Sequence, residues 1–181
     1  MGATRKPRKR YVPRAVALDA ADHAMALATK LRPGQRAELA GPLHRAFELA
    51  RAGTGGSTAW CTLADGMNVA EQLAGRCGIC SDRMPEIMAA QEALHTWHAR
   101  HAQRGTWTLR ADELRALDAG VLFHGIQLRY CTQGELRDAI LAVQRHVQQA
   151  LAGNASPRAL VCIDALGRQQ QQQTTPPGAP T

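Results

Sequence analysis

Aromatic side chains make up only 4% of this 181-residue chain, and lysine is almost missing: Lys6, Lys9 and Lys30 stand among 22 basic residues. With so few rings, a core has to be built from Leu, Ala, Val, Ile and Met. The scarcity of β-branched residues argues against a sheet of any size. No apolar run is long enough to cross a bilayer, so the sequence predicts no membrane span. The stretch from Met1 to Ala20 holds no apolar segment long enough for a signal peptide. There is no GxSxG elbow and no HExxH pair, and the glycine-rich stretch GTGGST lacks the lysine that would reach a phosphate. The acids Glu48, Asp65, Glu71, Asp112, Glu113 and Asp118 fall at polar helix positions and read as solvated faces. No catalytic residue and no cofactor are called for, and the expectation is a non-enzyme.

The remainder of the composition, 45% hydrophobic and 20% charged, is ordinary for a globular domain. The Arg bias, with this much Ala and Gly, is what GC-rich coding would produce. Five cysteines, Cys61, Cys77, Cys80, Cys131 and Cys162, form an odd set without an export signal. That combination points to reduced thiols in a cytoplasmic protein.

Charge is distributed unevenly. Arg5, Lys6, Arg8, Lys9, Arg10 and Arg14 all lie in the stretch from Met1 to Arg14, which contains no acid, and Tyr11 sits among them. Removing those six from the 22 basic residues leaves 16 against 15 acids, so the net +7 belongs to the arm and the remainder is nearly neutral.

Residues 1–16 therefore read as a flexible basic arm kept extended by Pro7 and Pro13. Residues 17–153 carry helical periodicity. A first helix is predicted over 19–31, with Asp19 as N-cap and Pro33-Gly34 as its stop. A second covers about 35–51 but contains Gly41-Pro42, which predicts a kink or a restart with Pro42 in a first turn. A third, capped by Ser57 or Thr58, has the buried stripe Trp60, Leu63, Met67, Ala70 and Ala74, with Gly75 and Gly78 ending it. The fourth starts near Ser81 with Pro85 in its first turn and stops at Gly105. The fifth, about 110–131, has the stripe Leu114, Leu117, Val121, His124 and Leu128. Thr132 to Glu135 has the spacing of a capping box and opens a sixth helix reaching Ala152. Its stripe is Leu136, Ile140, Val143, Val147 and Leu151. The short turn between the last two helices predicts that they pack antiparallel. Residues 154–181 hold the short apolar patch ALVCIDAL, then QQQQQ and TTPPGAPT, a low-complexity tail. The fold class is all-α, a five- to six-helix bundle with a disordered basic arm and a low-complexity tail.

Two constellations suggest chemistry. Cys77 and Cys80 form a CxxC pair, and His95, His98 and His101 follow on the next predicted helix, a loose Cys2His2 zinc spacing. Against it, a helix starting at Asp82 carries His95 about 20 Å along its length, away from the CxxC turn. The competing reading is that the cysteines fill an interhelical turn and the histidines line a surface. A thioredoxin-like role for the CxxC lacks the alternating strand–helix context.

The arm is the second. Its cations could neutralise up to six phosphates, and Tyr11 could stack on a base or sugar. A helix-turn-helix across Leu128–Ile140 would strengthen a DNA reading, but the second helix offers two arginines and no lysine, a poor recognition helix. The opening KPRKRYVPRAV, the Ala/Leu-rich helices and the segment RGTWTLRADELRALDAG resemble small helical proteins of phages, prophages and mobile elements in GC-rich proteobacteria. The resemblance implies an accessory protein and brings no catalytic or binding residue with it. The leading expectation is non-specific DNA or RNA binding through Arg5, Lys6, Arg8, Lys9, Arg10, Tyr11 and Arg14. The alternatives are a protein-binding adaptor or host-factor modulator that uses a bundle face, and a small structural zinc protein built on Cys77, Cys80, His95 and His98.

Overall fold

Local signals place most helix ends where they are found. The computed structural model describes residues 16–152, which form six helices: α1 (Val16–Ala28), α2 (Pro33–Arg51), α3 (Gly56–Cys77), α4 (Met84–Arg104), α5 (Ala111–Tyr130) and α6 (Gln133–Leu151). The basic arm before residue 16 and the Gln/Pro-rich tail after residue 152 lie outside the described residues. Within them there is no strand, only an isolated antiparallel bridge between Lys30 and Thr132.

Gly78 and Gly105 end α3 and α4 in the left-handed conformation, φ 72° and 71°, which glycine adopts without a Cβ penalty. Pro85 sits in the first turn of α4, after a single 3-10 turn over Ser81–Arg83. The capping box of α6 forms as its spacing predicts. The Glu135 amide donates to Thr132 Oγ1 at 3.2 Å, and the Thr132 amide donates to Glu135 Oε2 at 2.7 Å.

Three boundaries differ from expectation. Helix α1 begins at Val16, so Asp19 lies inside its first turn and not at the N-cap position. Helix α3 begins at Gly56 with Ser57 and Thr58 already helical, and it continues through Gly75. Helix α2 runs unbroken through Pro42. Glu38, whose carbonyl loses its helical donor to the proline, is exposed, so that carbonyl can be hydrated. Burial of Leu43, Ala46, Phe47 and Ala50 against the core holds the following turns in line.

Helix α3 is the axis. The stripe Trp60, Leu63, Met67, Ala70 and Ala74 is 0–6% exposed. Helices α2, α4, α5 and α6 all pack on it, and α4 and α5 pack on each other most extensively. Helix α6 does not form the expected antiparallel pair with α5; it lies along α3 and against α1. The linking residues Cys131 and Thr132 are extended, at φ −70° and −84°, and turn the chain away from α5. The buried line of α6 is Leu136, Ala139 and Ala142, at 8%, 1% and 2% exposure, while Ile140, Val143 and Val147 are half-buried beside it. Helix α1 is antiparallel to α6. The Gln133 amide donates to Thr29 O, Leu27 touches Gly134, and His23 faces Arg137 at 3.4 Å, so each step back along α1 is a step forward along α6.

Polar groups stitch this arrangement. Gln127 is fully buried, and its Nε2 donates to Ala70 O of α3 at 2.9 Å and to Ile79 O of the following turn at 3.0 Å. Trp60 Nε1 donates to Leu94 O at 2.9 Å, joining α3 to α4. Gln91 donates to Glu71 at 2.9 Å, so Glu71 is a half-buried acceptor and not a fully solvated acid.

Helices α3, α4 and α5 come close together at Gly120. A Cβ built there would lie 2.6 Å from Ala90 Cβ and 2.7 Å from Met67 Sδ. Ala90 Cβ cannot rotate away. Gly120→Ala, which should stabilise an isolated helix by about 1 kcal/mol, is expected to destabilise this protein by about 1–3 kcal/mol. Urea unfolding with an unchanged slope and a lowered midpoint would show it.

Candidate functional site

The arm residues Arg5, Lys6, Arg8, Lys9, Arg10, Tyr11 and Arg14 lie outside the described residues. The chain enters α1 at Val16, and because α1 is antiparallel to α6, that entry point lies toward the C-terminal half of α6. There Arg76, Arg145, Gln144 and Gln148 line a cleft of about 880 Å³ between α3 and α6. Asp138 lines it too, and Asp138 also pairs with Arg137 at 3.7 Å, so this face is mixed and not a strong cationic patch. With α6 lying along α3 and away from α5, the Leu128–Ile140 junction does not form the compact helix pair of a helix-turn-helix unit.

Cys77 ends α3, and Cys80 follows in the left-handed conformation at φ 57°, just before the 3-10 turn. His95 is on an exposed position of α4, and His98 lies beside Trp60, at the opposite end of α3 from Cys77. Among the described residues no three His, Cys, Asp or Glu side chains come together in a group that could hold a metal ion. The zinc reading of Cys77, Cys80, His95 and His98 therefore finds no converging ligand set. Cys77, Cys80 and Cys131 are free thiols, and burial, the largest influence, pushes all three up, Cys131 to about 11. None is activated as an exchanging thiol would be. Cys61, on the buried face of α3, is disulfide-bonded, so the expectation of five reduced thiols does not hold. Cysteine usage then carries no argument for a cytoplasmic setting.

His98 and His101 of α4 belong instead to an aromatic cluster that gathers all three tryptophans. His101 stacks on Trp107 at 4.0 Å and 18°, Trp97 meets Trp107 edge-on at 5.1 Å, and His98 lies 4.7 Å from Trp60. Trp97 Nε1 and His101 Nδ1 are buried without a hydrogen-bond partner among the described residues.

Trp107 is held there by an ion pair that sequence reasoning missed. Glu113 has the look of a solvated acid at the start of α5, yet its side chain is 6% exposed and that of Arg100 is 11% exposed. The Arg100 guanidinium grips both Glu113 oxygens and also donates to Thr108 O at 2.7 Å, while the Arg110 amide donates to Glu113 Oε2 at 2.8 Å. Burial pushes the Glu113 carboxyl up, but the hydrogen bonds from Arg100 and Arg110 and the Arg100 charge outweigh it and hold it below the ordinary range. The connector between α4 and α5 is thus clamped at Thr108 and Arg110, close to Trp107.

The third feature is an open groove of about 700 Å³ between α2 and α5. Its accessible floor is aliphatic, with Ala37, Ala40, Leu122 and Ile126; Val121 and Leu128 also border it but are buried in the core at 3% and 2% exposure. Arg36, Arg129 and His44 are its polar side chains, and no carboxylate lines it. Leu122 is 58% exposed, the most exposed leucine among the large exposed hydrophobics of the described residues, and it continues the aliphatic floor. On the same helix His124 is buried at 6% exposure, its Nδ1 3.4 Å from Gln127 Oε1. Gln127 directs its amide donors to two carbonyls, so Oε1 accepts and His124 Nδ1 carries the hydrogen. Burial, then the nearby His44 charge, lowers the His124 pKa from 6.5 to about 4 against an opposing push from Gln127.

No protein-family model, curated protein or solved structure matches this chain.

Two outcomes follow from the ionisable groups. Glu113→Gln should leave Arg100 without its countercharge and cost about 2 kcal/mol or more, read in urea denaturation, with Trp fluorescence shifting as the Trp107 connector loosens. His124 takes up a proton more readily when unfolded, so stability should be full above pH 6.5 and fall below it toward its folded value of about 4. Between about pH 6.5 and pH 5 the loss should reach roughly 2 kcal/mol, before the Glu113 contribution begins to titrate away nearer its unfolded value of 4.5. Unfolding midpoints flat across that window would refute the buried neutral imidazole.

Proposed function

We propose that this protein binds nucleic acid without sequence preference through its basic arm, as an accessory protein of the phage or mobile-element type. The observation that carries the reading is the segregation of charge: six cations and no acid between Met1 and Arg14. The described body, by contrast, neutralises many of its own cations. Arg51 pairs with Glu48, Arg83 with Asp82 and Glu86, Arg100 with Glu113, and Arg137 with Asp138. An arm without acids of its own has no such local outlet, and its charges suit the release of counterions from a phosphate backbone. Tyr11 adds a ring for stacking against a base or sugar. Among the described residues the Leu128–Ile140 junction does not form a compact helix-turn-helix pair, which supports binding that ignores sequence. The mixed face beside Arg145, near which the chain enters α1, offers at most a secondary contact. A cytoplasmic setting rests on the partner alone.

Affinity measured by fluorescence anisotropy on duplex DNA should fall with a log–log salt slope no steeper than about −5, since each neutralised phosphate contributes about −0.9. Raising salt from ~50 to ~200 mM should weaken binding by up to about a thousandfold. Arg8→Ala and Arg10→Ala should each reduce the slope by up to about one unit, equally on unrelated sequences. Sequence-selective binding that survives ~200 mM salt would overturn the reading, because the bundle and not the arm would then be the reader.

A further inference from the structure

We propose that the groove between α2 and α5 is a docking site for an acidic amphipathic helix of a partner protein, a second function separate from the arm. The groove runs from Pro33 to His44 along α2, about 16 Å or three helical turns. Its floor presents aliphatic side chains from both helices, with Leu122 more than half exposed in the described chain. Its rim is cationic. Arg36 and Arg129 line the groove, Arg32 is the N-cap residue at its α2 end, and Lys30 lies over the exposed Tyr130 ring at 5.7 Å. Among the described residues, none of these four cations is in the ion pairs that occupy Arg51, Arg83, Arg100 and Arg137.

An apolar floor between cations that lack a carboxylate partner is complementary to one chemistry: a helix with an apolar stripe flanked by Glu or Asp. Nucleic acid fits less well, because no Phe, Tyr or Trp lines the groove for base stacking and its aliphatic floor would desolvate phosphates. A second copy of the chain also fits less well. Pairing the groove with itself across a two-fold axis would set Arg36 and Arg129 against the same cations of the second copy. Mixing a cationic rim with an apolar floor also makes the site selective, since a basic helix of the same shape would be repelled.

The probe is a fluorescein-labelled synthetic helix of about 16 residues, with Leu at i, i+3, i+4 and i+7 spacing and Glu on both flanks. It is titrated into the full chain near physiological salt. Two control peptides carry Lys for Glu, or the same composition with the Leu spacing scrambled. The Leu/Glu helix should bind in the micromolar range, and both controls at least about tenfold more weakly. Leu122→Glu, and the double change Arg36→Glu with Arg129→Glu, should each weaken the Leu/Glu helix about tenfold or more. These are surface positions, and circular dichroism of each variant checks the fold. In the unaltered chain, backbone amide shifts on adding the peptide should cluster at residues 33–44 and 121–129. Replacing the six arm cations by Gln should leave peptide affinity unchanged while removing DNA binding, which separates this site from the arm. Absence of peptide binding, equal binding of the scrambled helix, insensitivity to the groove changes, loss of binding with the arm cations, or groove amide shifts caused by duplex DNA would each overturn the proposal.

Discussion

The Gln127 carboxamide is the tie on which the arrangement of the bundle depends. From a fully buried position on α5 it donates both to the axis helix α3, at Ala70 O, and to the turn that follows it, at Ile79 O. A buried amide is costly without partners and rigid with them, so its bonds select one register of α5 against α3. His124, one turn earlier, completes the set as a neutral imidazole facing Gln127 Oε1. The small residues of the interface then become necessary. Gly120 allows α5 to come within a methyl group of Ala90 and Met67, and added bulk there would force α5 away from α3 and α4.

With α5 set in this way, its two faces acquire different roles. The inward face closes the core with Leu117, Val121 and Leu128. The outward face, beside α2, is left with aliphatic groups under arginines. The beginning of α5 is anchored separately, by the Arg100 clamp on Glu113, which holds the connector and Trp107 over the aromatic end of α4. The body is therefore nearly neutral in sum but not in detail. Its acids neutralise cations near turns and helix ends, such as Arg83 and Arg51. Arg36 and Arg129 instead line one groove, with Arg32 at the N-cap of α2 and Lys30 over the Tyr130 ring, all four outside the ion pairs of the described residues. Combined with an arm that carries six cations and no acid, this leaves two cationic features of different chemistry. One has the composition that suits phosphates; the other has an apolar floor and suits an acidic helix.

What the sequence by itself determined is the all-helical class, a count of five to six helices and the positions of their sharpest ends. Those ends are written in chemistry that acts over a few residues: glycine at Gly78 and Gly105, proline at Pro85, the reciprocal Thr132–Glu135 bonds. The stripe of α3 was legible for the same reason, because a helix buried by several neighbours shows its periodicity strongly. What only the tertiary structure decided is which faces meet. That α6 turns onto α3, that Glu113 is a buried partner of Arg100, that α2 passes through Pro42 unbroken, and that α2 and α5 leave a cationic groove all depend on contacts between distant segments. The Gln127 bond to Ala70 spans 57 positions, and nothing near Gln127 in the chain announces its acceptor. Such pairings are chosen by packing and desolvation summed over the whole bundle, which no local pattern of residues contains.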